Sequence, residues 1–222
     1  MAVAAGKAVL ADAEKRYTAG AIPALEAAVE AQIADGSYDF ELNLALLNLY
    51  QLHTDSAKEE VLVKVLAKAL TALPSPDYQL CKAVTSKALS ASASVQWLDG
   101  LANQLEMGEF QAFWRSAAGG GDAGKPAIEL LKLAGFADAV RKHIVGLVSI
   151  TYQSIPAAAL GDILQLQGAE LDSAASASGF TRKGDDFAVP LCSENQAKPA
   201  GSEENFSFKE LAPAYELCVT QG

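Results

Sequence analysis

The chain has 222 residues, 50% of them hydrophobic and 20% charged, which fits one medium globular domain or two small ones in close contact. Its formal net charge of −10 repels a phosphate backbone on average, so non-specific nucleic-acid binding is disfavoured. Cys81, Cys192 and Cys218 are odd in number and far apart, which argues against a disulfide framework or a zinc knuckle and for a reducing compartment.

Met1 to Gly6 lacks the basic start and sustained apolar run of a signal peptide, and no stretch approaches a membrane span; a soluble, cytoplasmic protein is expected. From Lys7 to about Gln153, Ala, Leu, Glu, Lys and Gln dominate, and the periodicity predicts about eight helical segments. Ile22 to Ala34 places Leu25, Ala28, Val29 and Ile33 on one stripe and stops at Asp35-Gly36-Ser37. Asp39 to Leu52 carries apolar residues on two adjoining faces, so it must be covered on two sides. Ser56 and Glu59 have the spacing of a reciprocal cap for a helix running to Leu73, with Glu60 and Lys64 paired on its wet face.

Pro74 ends that helix, and Ser75-Pro76 opens another carrying Leu80, Cys81 and Val84. Further helices centre on Trp97 to Leu105, Phe110 to Trp114, Ile128 to Leu133 and Phe136 to Tyr152. Helices of similar length with short connections bury their stripes against neighbours in sequence, the logic of a HEAT-like stack.

After Gln153 the text changes. Ile155-Pro156 opens a short helix to Leu164, Glu170 to Ser178 makes a second, and Lys183-Gly184-Asp185-Asp186 reads as a turn. Phe187, Val189 and Leu191 then alternate with Ala188, Pro190 and Cys192 as in a half-buried strand, which Pro190 consigns to a sheet edge. Phe206 to Val219 can form a last helix. The expected architecture is mainly α: a HEAT-like helical domain, residues 1–153, followed by a small winged-helix unit, residues 154–222.

Candidate chemistry is sparse. Gly119-Gly120-Gly121-Asp122-Ala123-Gly124-Lys125-Pro126 matches a phosphate-loop pattern up to Lys125, but Pro126 supplies neither the hydroxyl for magnesium nor a backbone N–H. A helix connector is the better reading, and a nucleotide-binding enzyme is set aside. His143 sits among Val140, Ile144 and Leu147 as a core-edge residue, and His53 lies at a helix end where it can satisfy the last carbonyls. No catalytic motif, cofactor site or metal site is legible, and no enzyme is expected.

A winged helix raises DNA binding, yet its second helix holds Glu170 and Asp172 and no base, and residues 151–222 carry four basic against ten acidic groups, or −6. A nucleic-acid-binding alternative would use Arg182 and Lys183 with Arg141 and Lys142. The surface instead suggests a scaffold. Phe187, Val189 and Leu191 on the edge strand and Leu211 and Tyr215 on the last helix are the candidate partner contacts, unless that helix covers the edge internally.

Several segments in order carry a likeness: Tyr38 to Gln51, Lys68 to Pro74, Leu80-Cys81-Lys82, Phe110 to Trp114, Gly135 to Lys142, Ile150 to Gln153 and Leu160-Gly161-Asp162. Through them the chain resembles the k-subunit family of eukaryotic translation initiation factor 3, well over residues 36–164 and in fragments such as Leu191-Cys192-Ser193 and Lys198-Pro199 beyond. The resemblance implies a HEAT-like domain followed by a PCI-like winged helix, no active site, docking chiefly on the l subunit, and contact with the small (40S) ribosomal subunit through the complex. The glycine-rich stretch 117–124 and the alanine-serine run 173–178 depart from the family pattern.

Overall fold

Helix ends fall where single residues force them. In a computed structural model, which describes residues 2–12, 14–119, 130–197 and Ala212, the chain begins with α1 (Ala2–Ala11), a helix the sequence reading did not anticipate before Lys7. α2 (Ile22–Asp35) closes on Gly36, whose φ of 74° is left-handed and suits glycine. Asp39 caps α3 (Phe40–Leu52) by accepting from the Leu42 N–H at 3.2 Å.

The expected cap at Ser56 and Glu59 is not formed. Thr54–Ser56 makes a 3-10 turn, and α4 (Glu59–Leu70) starts after Lys58 without a side-chain cap. Lys64 reaches across to Glu30 of α2 at 2.5 Å, so the cation predicted to serve its own helix ties two helices together. α5 (Asp77–Val84), the short α6 (Lys87–Ser90), α7 (Ala93–Glu106) and α8 (Phe110–Ala117) follow. Of the helix expected over 128–133, the described part is a 3-10 turn, Leu130–Lys132, and residues 128 and 129 lie outside the described residues. α9 (Phe136–Thr151) completes this part.

Covering α3 on two sides was the demand of its wide apolar surface, and the structure meets it: Leu42, Leu46, Leu47 and Leu49 are all buried among α1, α2, α4 and α5. Each such leucine contributes roughly 1.5–3 kcal/mol of burial. One polar pair sits in that core. Gln32 of α2 and Asn43 of α3 exchange bonds at 3.0 and 3.3 Å, and Gln32 also accepts from the Asp39 N–H, so no polar atom of the pair is stranded.

Beyond α9 the chain forms β1 (Ser154–Pro156), α10 (Ala157–Leu164), α11 (Gly168–Ala177), β2 (Thr181–Lys183) and β3 (Asp186–Ala188). The three short strands make an antiparallel sheet in the order β1-β3-β2. This corrects the edge-strand expectation: β3 is central, paired with Ile155 on one side and Arg182 on the other of Phe187, and Pro190 lies beyond it. A three-residue strand containing Pro156 left no alternating pattern from which β1 could be read.

Candidate interaction surface

Of the five residues expected to meet a partner the structure describes three, and these three do not share one exposed surface. Phe187, 1% exposed, and Val189, 5% exposed, are core, because paired strands on both flanks turn Phe187 inward under Ile155. Leu191 is 68% exposed. Leu211 and Tyr215 lie outside the described residues, as do Phe206 to Val219 apart from Ala212, Lys198-Pro199, and residues 120–126 of the glycine-rich connector.

What fastens the sheet unit to the helices is a pair of side chains from α8 and α9. Trp114 Nε1 donates to the Ile163 carbonyl at 2.9 Å, and Arg141 Nε donates to the Leu164 carbonyl at 3.1 Å. These are last-turn carbonyls of α10, which have no partner within their own helix. The Arg141 guanidinium also stands 5.5 Å from the Trp114 ring centre and 3.2 Å from Asp138. Phe113 continues the joint inward, stacked on Phe136 with ring centres 6.4 Å apart.

Two of the four cations considered for phosphate contact are thus engaged internally. Arg141 holds α10, and Arg182 pairs with Asp172 at 2.6 Å while its guanidinium covers the Phe187 ring at 5.6 Å. Lys142 and Lys183 remain exposed.

A second fastening lies at the end of α9. Asn195 Nδ2 donates to the carbonyls of Ser149, Tyr152 and Pro190 at 2.9–3.2 Å, and its Oδ1 accepts from the Cys192 N–H at 2.9 Å. Gln153 returns a bond to the Asn195 carbonyl at 2.7 Å. Around this knot three large apolar side chains face water: Ile150 at 45%, Tyr152 at 50% and Leu191. Sequence reasoning found only Leu191 among them; Ile150 and Tyr152 were absorbed into a helix stripe whose last turn outruns its cover.

Among the described residues α9 borders grooves on more than one side. One of about 700 Å³ runs between α9 and α11, with Val145 and Leu166 in its floor and Asp138, Arg141, Lys142 and Glu170 on its rim. Another, of about 650 Å³, lies between α9 and the 71–74 turn, lined by Leu73, Pro74, Ala139, Gly146, Leu147 and Ile150, with Lys142 and His143 toward one end. Burial lowers the His143 pKa below its ordinary value, so this imidazole is neutral at neutral pH. Ile150 joins this groove to the exposed patch.

The remaining candidates are structural. The His53 backbone N–H donates to the Leu49 carbonyl at 2.8 Å and its ring meets the Tyr17 carbonyl at 3.2 Å. Among the described residues no group of three or more His, Cys, Asp or Glu could hold a metal ion, and no helix is long and apolar enough to cross a membrane.

Comparison with known proteins adds a family. A family model described as CSN8/PSMD8/EIF3K matches residues 56–200, more than half of the chain. The chain is similar to the Homo sapiens protein named eukaryotic translation initiation factor 3 subunit K, 33% identical over 89% of this chain and 88% of that protein. It is likewise similar to proteins of the same name from Danio rerio, 31% identical over 89% and 88%, and Drosophila persimilis, 28% identical over 92% and 90%.

Proposed function

The chain belongs to the CSN8/PSMD8/EIF3K family, and from that membership we propose that it is a non-catalytic subunit of eukaryotic translation initiation factor 3, offering shaped contact area in the cytoplasm. The observation that carries this reading is the likeness to proteins named subunit K across 89% of the chain. Docking is assigned to a PCI-type neighbour, the l subunit of the resemblance, with the small ribosomal subunit met through the assembled factor.

The geometry supports a scaffold. Strand, two helices and a two-strand turn in the order β1-α10-α11-β2-β3 suit a small winged helix, and α1 to α9 suit a HEAT-like stack ending near residue 153. On this reading the contact surface is the exposed apolar end formed by Ile150, Tyr152 and Leu191, rather than Phe187 or Val189. A nucleic-acid-binding reading has less support, since Arg141 and Arg182 are spent on internal bonds.

The test is purification of the tagged native chain with identification of its companions. Initiation-factor subunits and the small ribosomal subunit are expected, and recovery of neither overturns the reading. Leu191→Glu should weaken retention with helical content unchanged. Val189→Glu should instead unfold the sheet unit, because it places a charge in the core. Turnover of a substrate by the pure chain, abolished by one side-chain change, would end the non-catalytic assignment.

A further inference from the structure

We propose that the groove between α9 and the 71–74 turn receives an amphipathic helix of a partner protein, about three turns long, whose apolar stripe lies along Ala139, Gly146 and Ile150 and whose carboxylate meets Lys142. The proposal stands apart from the subunit assignment and concerns a surface on the helical part of the chain.

Size comes first. From Ala139 to Ile150 the groove follows α9 for about 16 Å, the length of three helical turns. Its walls are aliphatic, with Leu73 and Pro74 facing Leu147 and Ile150. That is the form in which helix-in-groove recognition presents pockets for residues spaced i, i+3 or i+4, and i+7.

Charge defines the occupant further. The chain carries 27 carboxylate side chains and a net charge of −10, yet among the described residues no carboxylate lines this groove. Among the described residues its one charged lining side chain is Lys142, exposed and without an ion pair. His143 beside it is neutral. The lining is a cationic spot on apolar ground in an acidic protein, complementary to an apolar helix with an acid placed about two turns from the residue that covers Ile150.

Gly146 supplies an independent observation. It stands in the interior of α9, where glycine weakens a helix, and a Cβ added there would meet nothing within 4 Å. No internal contact therefore requires the missing side chain. With Ala139 two turns away on the same face, it leaves a smooth wall that lets another helix backbone approach closely.

The experiment places an aliphatic diazirine residue at Ile150 of the full-length chain in cells, cross-links by light, purifies the chain and sequences the cross-linked peptide. The expected peptide belongs to another protein and carries an apolar i, i+3 or i+4, i+7 stripe with a carboxylate. Gly146→Leu and Lys142→Glu should each cut that product about tenfold or more, and reversing the partner's carboxylate to lysine should restore it in Lys142→Glu. Gly146→Leu should melt no lower than the parent, which separates lost docking from lost folding. A cross-link to residues 206–219 of this chain or to a second copy overturns the proposal. So does a peptide without the carboxylate, insensitivity to both substitutions, or no product. Co-purification of initiation-factor subunits reports on the subunit assignment independently of all these outcomes.

Discussion

Tyr78 donates to Asp99 across 2.6 Å and so joins α5 to α7 through a bond whose donor ring is buried. Lys82, one turn further along α5, holds the other Asp99 oxygen at 2.8 Å. The same device recurs: Tyr50 of α3 donates to Glu26 of α2 at 2.6 Å, and Tyr38 donates to Asp77 of α5 at 2.9 Å. Separate elements of the helical part are latched together by phenol and carboxylate.

Burial, reinforced by the accepting carboxylates, raises the pKa of Tyr38, Tyr50 and Tyr78 well above the ordinary phenol range. The unfolded chain releases these protons near pH 10 while the folded chain keeps them, so stability is full below that pH and falls above it. For the buried Tyr50 and Tyr78 the slope reaches about 1.4 kcal/mol per pH unit each. Phenolate absorbance in an alkaline titration should show them ionising only as the far-ultraviolet circular dichroism is lost, and Tyr50→Phe with Tyr78→Phe should flatten the alkaline limb.

Lys68 in the last turn of α4 is buried, and burial lowers its pKa while the Asp35 carboxylate pulls the other way. The folded state therefore holds this proton less well than the unfolded chain, and below the folded pKa the full cost of a buried cation is present. Lys68→Met should raise stability at pH 7 by about 1 kcal/mol in urea melts, with the gain shrinking as pH nears 10.5.

Cys81 lies in the core, where burial pushes its thiol up to about 11. In a Cys218→Ser background, a thiol reagent at pH 8 should label the half-buried Cys192 first and Cys81 only at the rate of unfolding. Equal labelling of both in native buffer would contradict the burial of α5.

At Gly161 a methyl group would come within 2.9 Å of the Leu166 carbonyl oxygen, a backbone atom that cannot swing away. Gly161→Ala should cost about 1–3 kcal/mol. Trp114→Phe, which removes the donor to Ile163, should cost about 1–2 kcal/mol and loosen α10 specifically, seen as faster amide exchange in residues 157–164.

How much of this was readable in the letters depended on range. Local rules placed α2, α3 and the turn at Gly184 within a residue or two, because Gly36, Asp39 and Gly184 act on their own neighbours. The Ser56 and Glu59 pattern misled because a 3-10 turn at 54–56 takes up Ser56, and α4 starts at Glu59 itself, behind Lys58. Lys64 found Glu30 rather than the neighbour four residues away, a choice set by how α2 lies on α4. Phe187 looked like half an edge strand since β1, its cover, comes 32 positions earlier and is three residues long. The grooves beside α9 were equally hidden, for a groove belongs to two separated segments and neither declares it alone.

The grip of Trp114 and Arg141 on neighbouring carbonyls of α10 has a mechanical consequence. Two anchors a residue apart, drawn from two different helices, resist a swivel of α10 about its own end where a single bond would serve as a pivot.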